Sequence, residues 1–307
     1  MPEPNVKEQT NGRRRRGDAR NRSNGGRIRR YTAQHPITAL CVVAIGLTVP
    51  LQTALLVAGL DVLPGKLAEL LFLTGTATLI THAIGGRSAV RRLFGGLIKW
   101  RFGVGRWSMI VLAMPTLTVA VAAITGTLHS PDHGWPREGL TYVLVLLLIL
   151  LTASLWEETA WSGFVQRRLI NRRGLLVGSL LTAIPFGLIH LPLAFEGDGW
   201  AKTTWTQAFV NWAFLLGSLP FLRYLAGVLL VDTRGSVLAV AVLHASFNAS
   251  GAMSVTPDGW AYVPALIILT ALVVVHRRLR GASLIEGAVD GPASIPEYNT
   301  PVHEARS

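Results

Sequence analysis

Long apolar runs separated by short polar stretches dominate this chain. A helix needs about twenty predominantly apolar residues to cross a bilayer core of about 30 Å. The pattern predicts eight such helices, over about 37–60, 63–84, 107–127, 140–166, 174–194, 205–231, 235–254 and 259–276. Pro115, Pro185 and Pro220 fall inside these runs. Proline is tolerated there because neighbouring helices re-satisfy the freed backbone groups. The fold class expected is therefore all-α, a polytopic membrane protein.

Composition agrees. Of the 307 residues, 50% are hydrophobic and 15% charged, against about a quarter charged in soluble domains. The single cysteine, Cys41, lies in the first run and cannot form an intramolecular disulfide. It says nothing about redox compartment.

The net charge of +12 would suggest a nucleic-acid partner if the cations were clustered on a folded surface. They sit instead at the ends and in alternate loops. Residues 1–34 contain "GRRRRGDARNRSNGGRIRR" and almost no large apolar group, so this segment is expected to be a disordered basic tail. Residues 35–280 form the expected membrane domain, with 281–307 a second polar, disordered tail. The first apolar run begins after residue 36 and is too long for the h-region of a signal peptide.

The loop "GGRSAVRRLFGGLIKWRFGVGR" holds six cations and no acid, and the next internal loop carries Arg167, Arg168, Arg172 and Arg173. The intervening loops "GTLHSPDHGWPREG" and "FEGDGWAK" have one Lys or Arg each. This positive-inside asymmetry predicts a multi-pass plasma-membrane protein with both termini cytoplasmic. The basic tail then serves topology and contact with anionic lipid, which makes membrane lipids the expected partner and excludes nucleic acid. The mixed cationic and apolar stretch "RRLFGGLIKWRFGVGRW" is expected along the cytoplasmic interface.

Ionisable residues inside a span are costly and point to function. "LWEETAWSGF" puts Glu157 and Glu158 in the fourth run, roughly 15 Å from its inner end. "FGLIH" in the fifth carries Phe186 and His190, and "HASFN" in the seventh carries His244 and Asn248, each pair one turn apart. Three helices thus bring carboxylates, two imidazoles and an amide to the middle of the bilayer. Each residue alone could be polar glue between helices; together and in this order they suggest chemistry.

These motifs resemble the CPBP (CAAX-protease and bacteriocin-processing) intramembrane endopeptidases, the type II CAAX prenyl endopeptidase and lysostaphin-resistance group. That pattern is Glu-Glu-x-x-x-Arg, then Phe-x-x-x-His, then His-x-x-x-Asn, and the likeness is strongest over about 140–252. The resemblance implies a membrane endopeptidase acting on a membrane-associated protein or peptide substrate. Ser162 stands where the pattern has arginine.

Peptide hydrolysis needs an activated water, an oxyanion donor and a proton for the leaving amine. The residues suggest Glu157 as general base, His190 as a second holder of the water, and His244 with Asn248 as oxyanion donors. Glu158 and Phe186 are expected to support the site. Arg223, at a depth of about 14 Å, is the candidate to supply from another helix the charge missing at Ser162. No cofactor is required by this reading. A zinc ion held by Glu157, His190 and His244 is the metal alternative. A proton-coupled transporter and a catalytically inactive scaffold or immunity-type protein are the rivals from other classes.

Overall fold

A computed structural model describes residues 31–197, 199–256 and 259–289. Among these residues there is no strand. Eight principal helices are numbered here in chain order: α1 (Pro36–Val57), α2 (Leu63–Ile98), α3 (Val104–Thr125), α4 (Trp135–Arg173), α5 (Leu175–Ile189), α6 (Trp205–Asp232), α7 (Val237–Gly251) and α8 (Tyr262–Leu279). The protein is an all-α polytopic membrane protein. Apolar side chains such as Leu71, Ile124, Leu148 and Leu151 lie on the outside of the helical body, where only lipid makes their exposure inexpensive.

The eight apolar runs become eight helices, but length divides them. Six are long and apolar enough to cross a membrane: α1, α2, α3, α4, α6 and α8. The other two, α5 and α7, have 15 residues each, roughly 22 Å of helix. α7 is buried almost throughout, against α3, α4 and α6.

Local sequence explains where the helices begin and bend. Pro36 opens α1 at a position where the missing N–H costs nothing. Thr204 and Gln207 form a reciprocal capping box at the start of α6, and the Ser236 hydroxyl accepts from the Ala239 N–H to start α7. Within α2, Gly86 has φ 65° and ψ −164°, a conformation open to glycine and strained for other residues. It breaks the helix where the apolar run gives way to the basic interfacial stretch. That stretch then docks on the body: Ser236 Oγ donates to the Lys99 carbonyl at 2.6 Å.

Two helices also carry wide π turns. In α2 they span Leu71–Gly75, and in α4 they span Leu150–Ser154 and Thr159–Gln166. The α4 pair brackets Glu157 and Glu158, in keeping with the frequency of π turns at functional sites.

The ends differ from the sequence expectation in one respect. The basic stretch through residue 30 lies outside the described residues. The segment after α8 was expected to be an unstructured tail from Gly281, yet residues 281–289 are laid against the body. The Leu176 N–H donates to the Ile285 carbonyl at 3.1 Å and the Val289 N–H to Asn171 Oδ1 at 2.9 Å. Tyr224 Oη donates to the Leu284 carbonyl at 3.2 Å, and Val289 is buried. Polar composition alone misled, because a few backbone hydrogen bonds and one buried valine hold the segment in place.

Candidate active site

The site is built from α2, α4, α6, α7 and the end of α5. Its ionisable groups form two clusters with Phe186 between them.

The first cluster surrounds Glu158, which is fully buried. Arg223, also fully buried, reaches it from α6 with Nη2 2.5 Å from Oε1 and Nη1 3.0 Å from Oε2. His244 Nδ1 lies 2.8 Å from Oε1, and Ser162 Oγ donates to Oε2 from one turn along α4. Four donors therefore meet two carboxylate oxygens. A bidentate guanidinium with further hydrogen bonds is the arrangement that lets a buried carboxylate stay charged. Arg223 is held in turn: its carbonyl accepts from Gln166 Nε2 at 2.5 Å, and its guanidinium carbon sits 4.1 Å from the Phe186 ring centre. The charge that Ser162 lacks thus comes from α6.

Because Arg223 is always a donor and Glu158 accepts from it, His244 must donate Nδ1–H to the carboxylate. Its other nitrogen, Nε2, is left for whatever lies in the site.

The second cluster holds Glu157, His190 and Glu69. Each offers one ligand atom, and these atoms all lie within 4.8 Å of one another. His190 caps the C-terminus of α5, just beyond the last helical residue. Its Nδ1 is 2.6 Å from the Phe186 carbonyl, an oxygen that can only accept, so Nδ1 carries the proton and Nε2 the lone pair. Glu157 Oε2 and Glu69 Oε1 are both buried and have no hydrogen-bond partner among the described residues. Glu69 Oε2 accepts from Gln52 Nε2 on α1 at 2.9 Å.

Phe186 joins the clusters. Its ring centre is 4.7 Å from that of His190, 5.8 Å from His244 and 5.7 Å from Trp161. The α5 residue thus fixes the spacing of two imidazoles and backs the arginine.

Asn248 is exposed on α7, one turn beyond His244, and lines an open cavity with Gly251, Ala252, Gly259 and Tyr262. The metal set anticipated from sequence is also rearranged. His244 is engaged by Glu158, and the metal-capable trio among the described residues is Glu69, Glu157 and His190. Glu69 and Gln52 were not singled out from sequence. The signal available was the one that flagged Glu157, an acid inside an apolar run, here "KLAELLFL".

Fold and site together define a helical membrane protein with a buried carboxylate–histidine centre. Residues 139–250 match the family model described as Rce1-like, type II CAAX prenyl endopeptidase. A CAAX prenyl protease 2 from Methanococcus maripaludis is 26% identical over 136 residues, which are 44% of this chain and 49% of the relative. The chain therefore spans about half the length of that relative. The matched segment runs from α4 through α7 and includes both clusters except Glu69, which lies outside it together with Gln52.

Proposed function

We propose that this protein is an intramembrane endopeptidase of the CAAX-processing type, hydrolysing a peptide bond in a membrane-associated protein or peptide substrate. The observation that carries the reading is the pairing of Glu157 with a His190 whose tautomer is fixed by the Phe186 carbonyl.

Two hydrogen bonds of roughly 2.8 Å meeting at a tetrahedral water span about 4.5 Å, which suits the separation of at most 4.8 Å between the two groups. A water bonded in this way gives one hydrogen to Glu157 and the other to His190 Nε2. Its oxygen lone pair is then turned to the scissile carbonyl. Glu157 takes the proton as the oxygen attacks. The developing oxyanion accepts from the Asn248 amide and, where His244 carries a proton on Nε2 as well as on Nδ1, from that Nε2–H. The charged Glu158 stabilises His244 when it carries a second proton, as a buried carboxylate does for the histidine of a hydrolytic triad. Arg223 keeps Glu158 ionised, so it acts on the reaction through another residue.

The reading requires no metal. If a divalent ion were bound, Glu69, Glu157 and His190 are the residues to hold it, and it would polarise the water that Glu157 otherwise activates. Placement in the plasma membrane with both termini cytoplasmic belongs to the same proposal and is supported by the alternation of basic loops.

The test is cleavage of a prenylated peptide ending in a CAAX sequence by the purified protein in liposomes. A parallel arm compares membrane-protein termini in cells carrying wild type or Glu157→Gln. Wild type is expected to release the C-terminal tripeptide, and Glu157→Gln and His190→Ala to release none while remaining folded. Full cleavage by Glu157→Gln would refute the assignment of the base.

A further inference from the structure

The residues from Arg87 to Arg106 lie outside the segment matching the family and take no part in the chemistry above. We propose that they form a binding arm for anionic phospholipid in the leaflet they face. Its guanidiniums hold phosphate headgroups, and its apolar side chains sit at the acyl boundary. The binding is independent of the endopeptidase reading.

The arm is fixed to the body along one side. After the break at Gly86 it is helical to Gly95 and closes with a tight turn over Gly96–Ile98. Ala89, Leu93 and Gly96 are buried. A Cβ at Gly96 would stand 2.5 Å from Val237 Cγ2 and 3.0 Å from the Gly235 carbonyl oxygen. Lys99 Nζ donates to the Arg234 carbonyl at 2.5 Å, beside the contact of Ser236 with the Lys99 carbonyl. The arm therefore sits on the turn between α6 and α7. At about 100° per residue, Arg87 and Arg91 fall on the face opposite Ala89 and Leu93, with Arg92 at the flank. All three are exposed, as is Arg101.

Six cations and no acid occur between Arg87 and Arg106. Lys99 and Arg106 serve the fold, the latter by donating Nη1–H to the Asp232 carbonyl at 3.2 Å. The ion pairs among the described residues involve none of Arg87, Arg91, Arg92 and Arg101, so four guanidiniums are presented without a carboxylate. A solvated face would account for these cations, but not for what stands beside them. Ile98 is 77%, Trp100 56% and Val104 82% exposed, and the Arg101 guanidinium carbon is 5.3 Å from the Trp100 ring centre. Apolar tips, a tryptophan and cations in one stretch make up a surface at headgroup level. Arginine meets a phosphate through two N–H groups at once, and its stem carries the charge outward from an apolar seat. A soluble acidic peptide would match the cations and leave Ile98 and Val104 in water. A zwitterionic bilayer would cover the apolar tips and leave the net charge unmatched. Anionic phospholipid meets both.

The test is quenching of tryptophan fluorescence by brominated lipid. The protein is placed in equimolar phosphatidylglycerol–phosphatidylcholine liposomes, with bromine on the acyl chains of one lipid or the other. The contribution of Trp100 is the difference between wild type and Trp100→Phe. Trp100 is expected to be quenched, and to favour brominated phosphatidylglycerol at least about fivefold, the equivalent of one cation at an anionic surface. Arg87→Gln, Arg91→Gln and Arg92→Gln together, with and without Trp100→Phe, should bring that preference below about twofold while the quenching persists. The three positions are exposed, so the variant should melt like wild type in phosphatidylcholine alone. Salt at about 1 M, where the screening length is about 3 Å, should abolish the preference in wild type. No quenching of Trp100 by either lipid would overturn the proposal, because the arm would then lie in water. Equal quenching by both lipids in wild type would overturn it as well, and so would a preference that survives the triple substitution.

Discussion

Replacing Arg223 with leucine would remove a guanidinium whose two contacts, at 2.5 and 3.0 Å, engage both oxygens of Glu158. Both side chains are 0% exposed, so no water can take over. Glu158 would keep only Ser162 and His244 as donors. Removing one partner of a fully buried pair costs about 3–5 kcal/mol, because a charge is left in a medium that does not solvate it. The contact of Arg223 with the Phe186 ring, at 4.1 Å, would be lost as well, worth up to about 2 kcal/mol where desolvated. Reversible unfolding in mixed micelles should therefore show Arg223→Leu to be destabilised by about 3 kcal/mol or more, a hundredfold or greater change in the folding constant. Glu158→Leu with Arg223→Leu removes both charges and should recover most of that loss. Adding Ser162→Arg to Arg223→Leu returns a guanidinium one helical turn from Glu158 and should also recover stability. Arg223→Lys should recover little, since an ammonium cannot make both contacts at once. A cost below about 1 kcal/mol for Arg223→Leu would refute the reasoning. Strict additivity of the Glu158 and Arg223 substitutions would do so too.

Further outcomes can be checked independently. Asn248→Ala should cut kcat on a prenylated peptide by about 10²–10³-fold, the usual loss for one oxyanion donor; an unchanged rate would remove Asn248 from the site. Gly178→Ala would bring a methyl group to 2.5 Å from the Ile170 backbone nitrogen. It should lower stability by about 1–3 kcal/mol, read as a fall in melting temperature. With Cys41 replaced by alanine, a cysteine at Ser130 should react with an impermeant maleimide in intact cells, and one introduced at Ala282 should not. Labelling of both, or of neither, would contradict the expected sidedness.

Most of the helical framework could be read from the apolar runs, because period and length suffice where every helix must satisfy its own backbone. The partnership of Glu158 and Arg223 was legible for a related reason: two charges at similar depth have few alternatives to one another. Glu69 was harder. It lies six residues into α2, with Asp61 and Lys66 close by in sequence, and so resembles a polar helix boundary. Only the packing of α2 against α4 brings it to Glu157, and no spacing within either helix encodes that approach. The role of His244 as a donor to Glu158 was equally hidden, since the i, i+4 pattern with Asn248 suggested that both residues face the same task. The shortness of α5 and α7 escaped the hydropathy pattern because apolar residues continue past the ends of both helices.

The π turns of α4 have a consequence for comparing this protein with its relatives. Each wide turn accommodates one residue more than a regular turn while leaving the helix continuous. The segments on either side can then keep their own packing faces despite an insertion between them. A single-residue gap placed within 150–154 or 159–166 is therefore compatible with an unchanged position of Glu157 and Glu158 in space. Against a relative that lacks the extra residue, an alignment without that gap would shift one flank of α4 by about 100°, and would match the glutamates or Gln166 to the wrong residues.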